Sequence, residues 1–216
     1  MGLGAIRGAG AEWLLDPGSP VRRYYEDLAK NLLSLGEGVK SVVVTSPEPG
    51  AGCTSVCVGL GAALAGMGRR TAVVDCNLEN PHLHRMLGEP NFVGLTSALR
   101  GDRSLDHYGH EAVPGLLVVP TGPVPSDSAV LETGRFVELV RGLEAGREAV
   151  ILDAPVAGRV LRSRNLSEGF DGILLVVHAS RTSKSTARAT TDDMLDAGIN
   201  LLGVVLNGSP RPGVRS

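Results

Sequence analysis

Short unbroken runs of Val, Leu, Ile and Ala recur along the chain, separated by stretches in which apolar positions return every three or four residues. The unbroken runs, at 41–45, 71–75, 116–119, 149–153, 172–178 and 201–206, predict strands. They do not alternate apolar with polar, which is the pattern of strands covered on both faces. Helical spacing fills the intervals at 53–67, 128–142, 158–168 and 183–196. Ahead of the first strand, Val21, Tyr24, Tyr25, Leu28, Leu32 and Leu35 mark a helix from Pro20 to Leu35 that stops at Gly36 and Gly38. The alternation predicts an α/β fold, a doubly wound and mostly parallel sheet with helices on both faces and its site at the C-terminal ends of the strands. Residues 1–18 are Gly-rich and weakly patterned and are expected to form a flexible arm. The domain is expected to span 19–208, and 209–216, rich in Pro, Gly and Arg, a flexible tail.

Composition narrows the class. With 216 residues, 43% hydrophobic and 20% charged, the chain is of a size and polarity to form one globular domain. Aromatic residues are only 3%, so the core must be assembled from Val, Leu, Ala and Gly. A net charge of -2 gives no reason to expect nucleic acid as a partner. No apolar run reaches the roughly 18 residues of a membrane-spanning helix, and no secretion signal is expected at the N-terminus. The three cysteines, odd in number, do not make a disulfide framework, so a cytoplasmic location is expected.

Three strand ends carry the candidate chemistry. After Val42-Val43-Val44-Thr45-Ser46 comes Pro47-Glu48-Pro49-Gly50-Ala51-Gly52-Cys53-Thr54-Ser55 and then an apolar helical run. Strand, tight Gly/Pro turn and helix opening on hydroxyl residues are the layout of a phosphate-binding loop, in which backbone N–H groups and a helix N-terminus cradle an anion. The position that carries the phosphate lysine in such a loop is Cys53. The second strand end is Asp75-Cys76-Asn77-Leu78-Glu79-Asn80-Pro81, and the third is Asp153-Ala154-Pro155. An aspartate closing an apolar strand needs a cation, water or hydrogen bonds. Thr54 and Asp153 suit a loop hydroxyl and an aspartate that hold Mg²⁺, while capping of the following helices is the simpler alternative for Asp75 and Asp153. Cys53, Cys57 and Cys76 with His82 and His84 are read as structural filler in preference to a metal or redox site.

Together these residues resemble the bacterial tyrosine kinases (BY-kinases) that control capsule and exopolysaccharide chain length and export, in the deviant-Walker class that also holds the MinD and ParA ATPases. The resemblance covers roughly residues 19–208. It rests on Pro-Gly-x-Gly at 49–52, Asp75 with Leu78 and Pro81, Gly94-Leu95 to Gly101, Pro120-x-Gly122-Pro123-x-Pro125, Leu152-Asp153-x-Pro155, Asp171-Gly172 and Gly203-Val204-Val205-Leu206-Asn207. It implies ATP or ADP with Mg²⁺, held by Pro49, Gly50, Ala51, Gly52, Cys53, Thr54 and Ser55, with Asn207 near the adenine. It further implies a metal set of Thr54, Asp75 and Asp153, and catalytic roles for Asp75, Asn77 and Asp153. A membrane chain-length regulator or a polysaccharide synthesis or export protein is the implied partner, reached from the cytoplasm and placing the chain peripherally at the inner membrane.

The departures from that pattern define the expectation. Cys53 replaces the phosphate lysine, Glu48 stands where MinD and ParA carry a second lysine, Asn77 replaces the second aspartate of an Asp-x-Asp pair, Glu79 replaces a basic residue, and Arg162 replaces an aspartate. Arg23, Glu26 and Ala29 align with a Glu-x-x-Arg-x-x-Arg oligomerisation pattern, and only Tyr24, Tyr25 and Tyr108 are tyrosines. Loss of an electrostatic group of the lysine's kind costs about 3 kcal/mol or more of transition-state stabilisation. The chain is therefore expected to be a degenerate, pseudokinase-like or nucleotide-sensing relative that acts by protein contact, in a homo-oligomer or with an intact kinase. The alternatives are an active kinase or ATPase with a relocated cation (Arg159, Arg162, Arg164 or Lys184), a MinD- or ParA-like switch, or a nucleotide-free scaffold.

Overall fold

The apolar runs come together side by side in one seven-stranded sheet of order β3-β4-β2-β5-β1-β6-β7. The structure is a computed structural model that describes residues 12–36, 38–124 and 128–208. The strands are β1 (Ser41–Thr45), β2 (Thr71–Asp75), β3 (His110–Val113), β4 (Leu116–Val119), β5 (Ala149–Asp153), β6 (Gly172–His178) and β7 (Leu201–Asn207). Every neighbouring pair is parallel except β3 with β4. Each residue of β1, β2, β4 and β5 is buried, which is why those runs lack alternation.

Nine α-helices are found among the described residues: α1 (Glu12–Leu15), α2 (Arg22–Ser34), α3 (Cys53–Gly66), α4 (Leu83–Leu87), α5 (Leu95–Arg100), α6 (Gly134–Gly146), α7 (Ala157–Val160), α8 (Arg164–Glu168) and α9 (Lys184–Asp196). One face of the sheet is covered by α1, α2 and α3, and the other by the side chains of α5 to α9. In α3, every residue from Val56 to Ala65 is buried, because the helix lies between the sheet and α2. Two glycines make that approach possible. A Cβ on Gly59 would stand 2.5 Å from the Tyr25 ring, and one on Gly61 would meet Leu116 and Val73 at 2.9 Å.

The sheet brings the candidate residues to one rim. Val44 is in register with Asp153, and Asp153 with Asp75. The ends are stitched by Ala154 N–H donating to the Val44 carbonyl at 3.0 Å and Cys76 N–H to the Asp153 carbonyl at 2.9 Å. On the far side, His178 pairs with Asn207.

The predicted strands are present within a residue of their expected limits, but some elements differ. The helix expected over 128–142 is a 3-10 turn at Ser128–Glu132 followed by α6, and that over 158–168 is broken into α7 and α8, where the Ser163 hydroxyl accepts the Leu166 N–H and restarts the helix. β3 was not legible because none of its four residues is buried and two of them are His110 and the exposed Glu111. A shift in register between Glu111 and Val113 bulges this edge strand. At the opposite edge, β7 exposes Val204 (52%) and Leu206 (61%). Residues 12–18 are not a loose arm. Leu14 and Leu15, 1% and 6% exposed, dock α1 on the α3 side of the sheet, which stabilises a segment too short to be helical alone. The rest of the expected arm, the 209–216 tail and the Pro125 marker lie outside the described residues. Among the described residues, no helix is long and apolar enough to cross a membrane.

Truncating a fully buried leucine costs about 2–5 kcal/mol. Leu14→Ala should lower the urea unfolding free energy by an amount in that range, whereas a loss below about 0.5 kcal/mol would show that α1 contributes nothing to the core.

Candidate functional site

The loop between β1 and α3 is shaped by two glycines with left-handed backbone, Gly50 (φ 79°) and Gly52 (φ 94°). Gly52 is doubly constrained, since a Cβ there would also fall 2.2 Å from the Asn207 side-chain nitrogen. Helix α3 starts directly after it, and the Gly52 carbonyl takes the first intrahelical bond from Val56 N–H at 3.0 Å. The preceding N–H groups have no helical acceptor and are the donors that an anion would meet. The loop is fixed from behind. Asn207 Nδ2 donates to the Ala51 carbonyl at 2.9 Å, Arg181 Nη1 to the Gly50 carbonyl at 3.5 Å, and Ser46 Oγ to the Glu48 carbonyl at 2.8 Å.

In front of the loop is a cavity of about 380 Å³ lined by Pro49–Ser55, by Asn77, Glu79, Asn80, His82 and Met86 beyond β2, and by Asp153–Val156. No lysine or arginine of the described residues lines it. Cys53 lines it, half-buried, and burial pushes its thiol up to about 12, against a partly offsetting hydrogen bond with Ser46. It is a neutral thiol at physiological pH. Burial also raises Cys57 and Cys76 well above the usual thiol range. Among the described residues, no group of three or more His, Cys, Asp and Glu side chains is arranged to hold a metal ion.

The two strand-end aspartates have different surroundings. Asp75 is buried and does not line the cavity. Its Oδ1 accepts the Asn77 N–H and its Oδ2 the N–H groups of His82 and Leu83, all at 3.1 Å, so it holds the 77–83 loop and caps α4. Burial raises its pKa, and the three N–H donors pull it back. Asp153 lines the cavity, and its buried Oδ2 has no hydrogen-bond partner. Burial, and then the neighbouring Asp75, push its carboxyl well above the ordinary range, with Thr54 and Cys57 acting the other way. An orphaned carboxylate oxygen beside a threonine hydroxyl is an oxygen donor set that fits a hard divalent cation such as Mg²⁺.

The cations considered as replacements do not reach this cavity. Arg159 Nε is paired with Glu79 at 2.9 Å, a bridge between the β2 and β5 ends. Arg162 lines a separate cavity of about 280 Å³ bounded by Leu78, Leu131 and Leu166, Arg164 pairs with Glu168 at 3.4 Å, and Lys184 opens α9. Asn207, expected near a base, grips the loop backbone through its side chain and is not among the residues lining the cavity. The Arg181 contact was missed, because nothing in the local sequence ties a turn after β6 to a loop after β1. On α2, Arg22 pairs with Glu26 at 3.2 Å, Arg23 bonds the Tyr24 hydroxyl, and Ala29 is buried in the core.

No protein-family model matches the chain. Among curated proteins, it is 33% identical over 172 residues to EpsB of Ralstonia nicotianae, which bears a tyrosine-protein kinase name; the alignment takes in 79% of this chain but 23% of EpsB. The chain thus spans about a quarter of that relative's length. It is 28% identical over 199 residues to the tyrosine-protein kinase YwqD of Bacillus subtilis, covering 90% of this chain and 84% of YwqD. In fold, it matches the kinase domain of the Escherichia coli tyrosine kinase ETK with a TM-score of 0.85 at 22% identity, over 100% of this chain and 87% of that one. It also matches the septum site-determining protein MinD of Pyrococcus horikoshii, solved with Mg-ADP, with a TM-score of 0.65 at 23% identity, over 81% and 72% of the two chains. The fold is that of a P-loop NTPase, and the homologues are bacterial tyrosine-protein kinases.

The site has two measurable consequences. With its thiol near 12, Cys53 should react with iodoacetamide at pH 8 about a thousandfold more slowly than an unperturbed cysteine, the rate climbing about tenfold per pH unit until the thiol titrates. Labelling at the free-cysteine rate would contradict this environment. Asp153 stays protonated to higher pH in the folded protein than in the unfolded chain. Stability is therefore withdrawn as pH rises above the ordinary carboxylate range and is unaffected below it. Without added metal, Asp153→Asn should raise the urea midpoint at pH 7.5, with a gain that shrinks toward pH 4; an equal gain at both would assign the effect to packing.

Proposed function

We propose that this chain, a homologue of the bacterial tyrosine-protein kinases, binds ATP or ADP with Mg²⁺ at the loop cavity but transfers phosphate poorly, and acts as a nucleotide-sensing regulator through protein contact. The observation that carries this reading is an anion cradle, built on Gly50, Gly52 and the start of α3, around a cavity that no lysine or arginine of the described residues lines. The N–H groups of the loop would hold the phosphates. Thr54 and Asp153 would hold Mg²⁺, whose chemistry when bound is to neutralise charge on the phosphate oxygens. Asp75 acts one step back by fixing the segment that carries Asn77 to His82 over the cavity.

What is missing bears on the rate more than on affinity. A neutral thiol at position 53 leaves charge developing on the transferred group without its customary partner, a loss of about 3 kcal/mol or more, or roughly a hundredfold in rate. Asn77 cannot accept a proton from an acceptor hydroxyl as a carboxylate can. The setting we propose is the cytoplasmic face of capsule or exopolysaccharide synthesis and export, with a membrane chain-length regulator, an export protein or an intact kinase as partner. Support comes from the relatives' kinase identity and from the family resemblance of the strand-end motifs.

The test is calorimetric titration of Mg-ATP and Mg-ADP into wild type and Cys53→Lys, with phosphate release and tyrosine phosphorylation assayed alongside. Wild type should bind both nucleotides with turnover at most about a hundredth of that of Cys53→Lys, which should also bind more tightly. Turnover by the wild type at the level of an intact kinase would overturn the regulatory reading, and absence of binding by both proteins would favour a nucleotide-free scaffold.

A further inference from the structure

Two successive carbonyls of the loop are held by side chains from two adjacent strand ends. Ala51 is held by Asn207 from β7, and Gly50 by Arg181 from the turn after β6. The turn is built to deliver that arginine. The His178 carbonyl accepts the N–H groups of Arg181 (3.2 Å) and Thr182 (3.0 Å), and Thr182 Oγ1 accepts the His178 N–H at 3.1 Å. Ala179 N–H donates to the Asn207 carbonyl at 2.8 Å, and Ser183 caps α9 by accepting the Thr186 N–H at 3.0 Å. The guanidinium also lies close against the loop, since a Cβ on Gly50 would stand 3.5 Å from its Nη1.

The charge balance sets Arg181 apart from Arg159 and Arg164, and its contact with the loop sets it apart from Arg162 and Lys184. Arg159 is neutralised by Glu79 and Arg164 by Glu168, whereas no carboxylate of the described residues lies within ion-pair distance of Arg181. Its guanidinium, with no compensating carboxylate, therefore abuts the peptide of Gly50, a residue that lines the cavity. A cation on a carbonyl polarises that peptide unit and makes its N–H partner, here that of Ala51, a stronger donor. It also adds a long-range attraction for an anion in the cradle at a point where the sequence has withdrawn the loop's own cation.

We propose that Arg181 is the cation of this site: from outside the loop, it supplies the positive charge with which the Gly50–Thr54 cradle retains the terminal phosphates of a nucleoside di- or triphosphate. This rests on the nucleotide-binding reading above and adds the residue that makes binding possible without a loop lysine. Because Arg181 acts through the loop carbonyl, it is a positioning residue and strengthens binding without entering the path of phosphoryl transfer.

The test separates charge from geometry. Arg181 is exposed, so substitutions there should leave the fold intact, as circular dichroism and the thermal midpoint will confirm. Arg181→Gln keeps a donor for the Gly50 carbonyl but removes the charge, and Arg181→Lys keeps the charge. Titrations of Mg-ATP and of inorganic pyrophosphate, each at two salt concentrations, should show Arg181→Gln weakened at least about tenfold for both ligands and less sensitive to salt, with Arg181→Lys within about threefold of wild type. Equal weakening of the two variants, or Arg181→Gln binding like wild type, would overturn the proposal. Pyrophosphate binding that depends on Arg181, without binding of ATP, would uphold Arg181 as the anion's cation while refuting the nucleotide reading. Wild type binding neither ligand would refute both.

Discussion

Burial of α3 on every side is the constraint on which the site depends. Ten consecutive residues, Val56 to Ala65, lie between the sheet and α2, and the larger of them contribute about 1.5–3 kcal/mol each through burial. The helix cannot slide or turn without exposing them or driving Tyr25 into Gly59. Because the loop runs directly into this helix, its backbone is fixed at both ends, by the interior strand β1 and by α3. The cradle is therefore in place before anything binds, and a ligand would not have to meet the entropy of ordering it. Side-chain grips at Gly50 and Ala51 complete what the packing begins.

That packing was written plainly in the sequence. Strands covered on both faces show themselves as unbroken apolar runs, so β1, β2, β4, β5 and β6 were legible; β7 showed the same run although it is not buried, and the loop was legible from its glycines and the hydroxyls that follow. Elements whose stability is borrowed from neighbours were not. Leu14 and Leu15 look like two stray leucines in a Gly-rich stretch until α3 is beside them. Asp75 was legible as a strand-end carboxylate, but its use as the anchor of 77–83 depends on which N–H groups the chain later folds over it. Arg159 with Glu79 and Arg181 with Gly50 join residues about 80 and 131 positions apart, and only the strand order makes them neighbours.

The same residues tie the departures together. Glu79, which stands where the family pattern carries a basic residue, is partnered by Arg159 beside the cavity. The site has thus exchanged its charges and kept its frame. A carboxylate with an orphaned oxygen, a neutral thiol and a cation held behind the loop make a chamber suited to holding an anion and its counter-ion, with little provision for breaking a bond inside it.

The two margins of the sheet differ in a way that reaches beyond the site. β3 is short, bulged and lined with His110 and Glu111, features that discourage a further strand from joining. β7 is seven residues of Leu, Gly, Val and Asn with no charge, no proline and two bare aliphatic side chains. A strand arriving from elsewhere would be turned away at one margin and meet open hydrogen-bonding groups at the other, so the described fold can grow in one direction only.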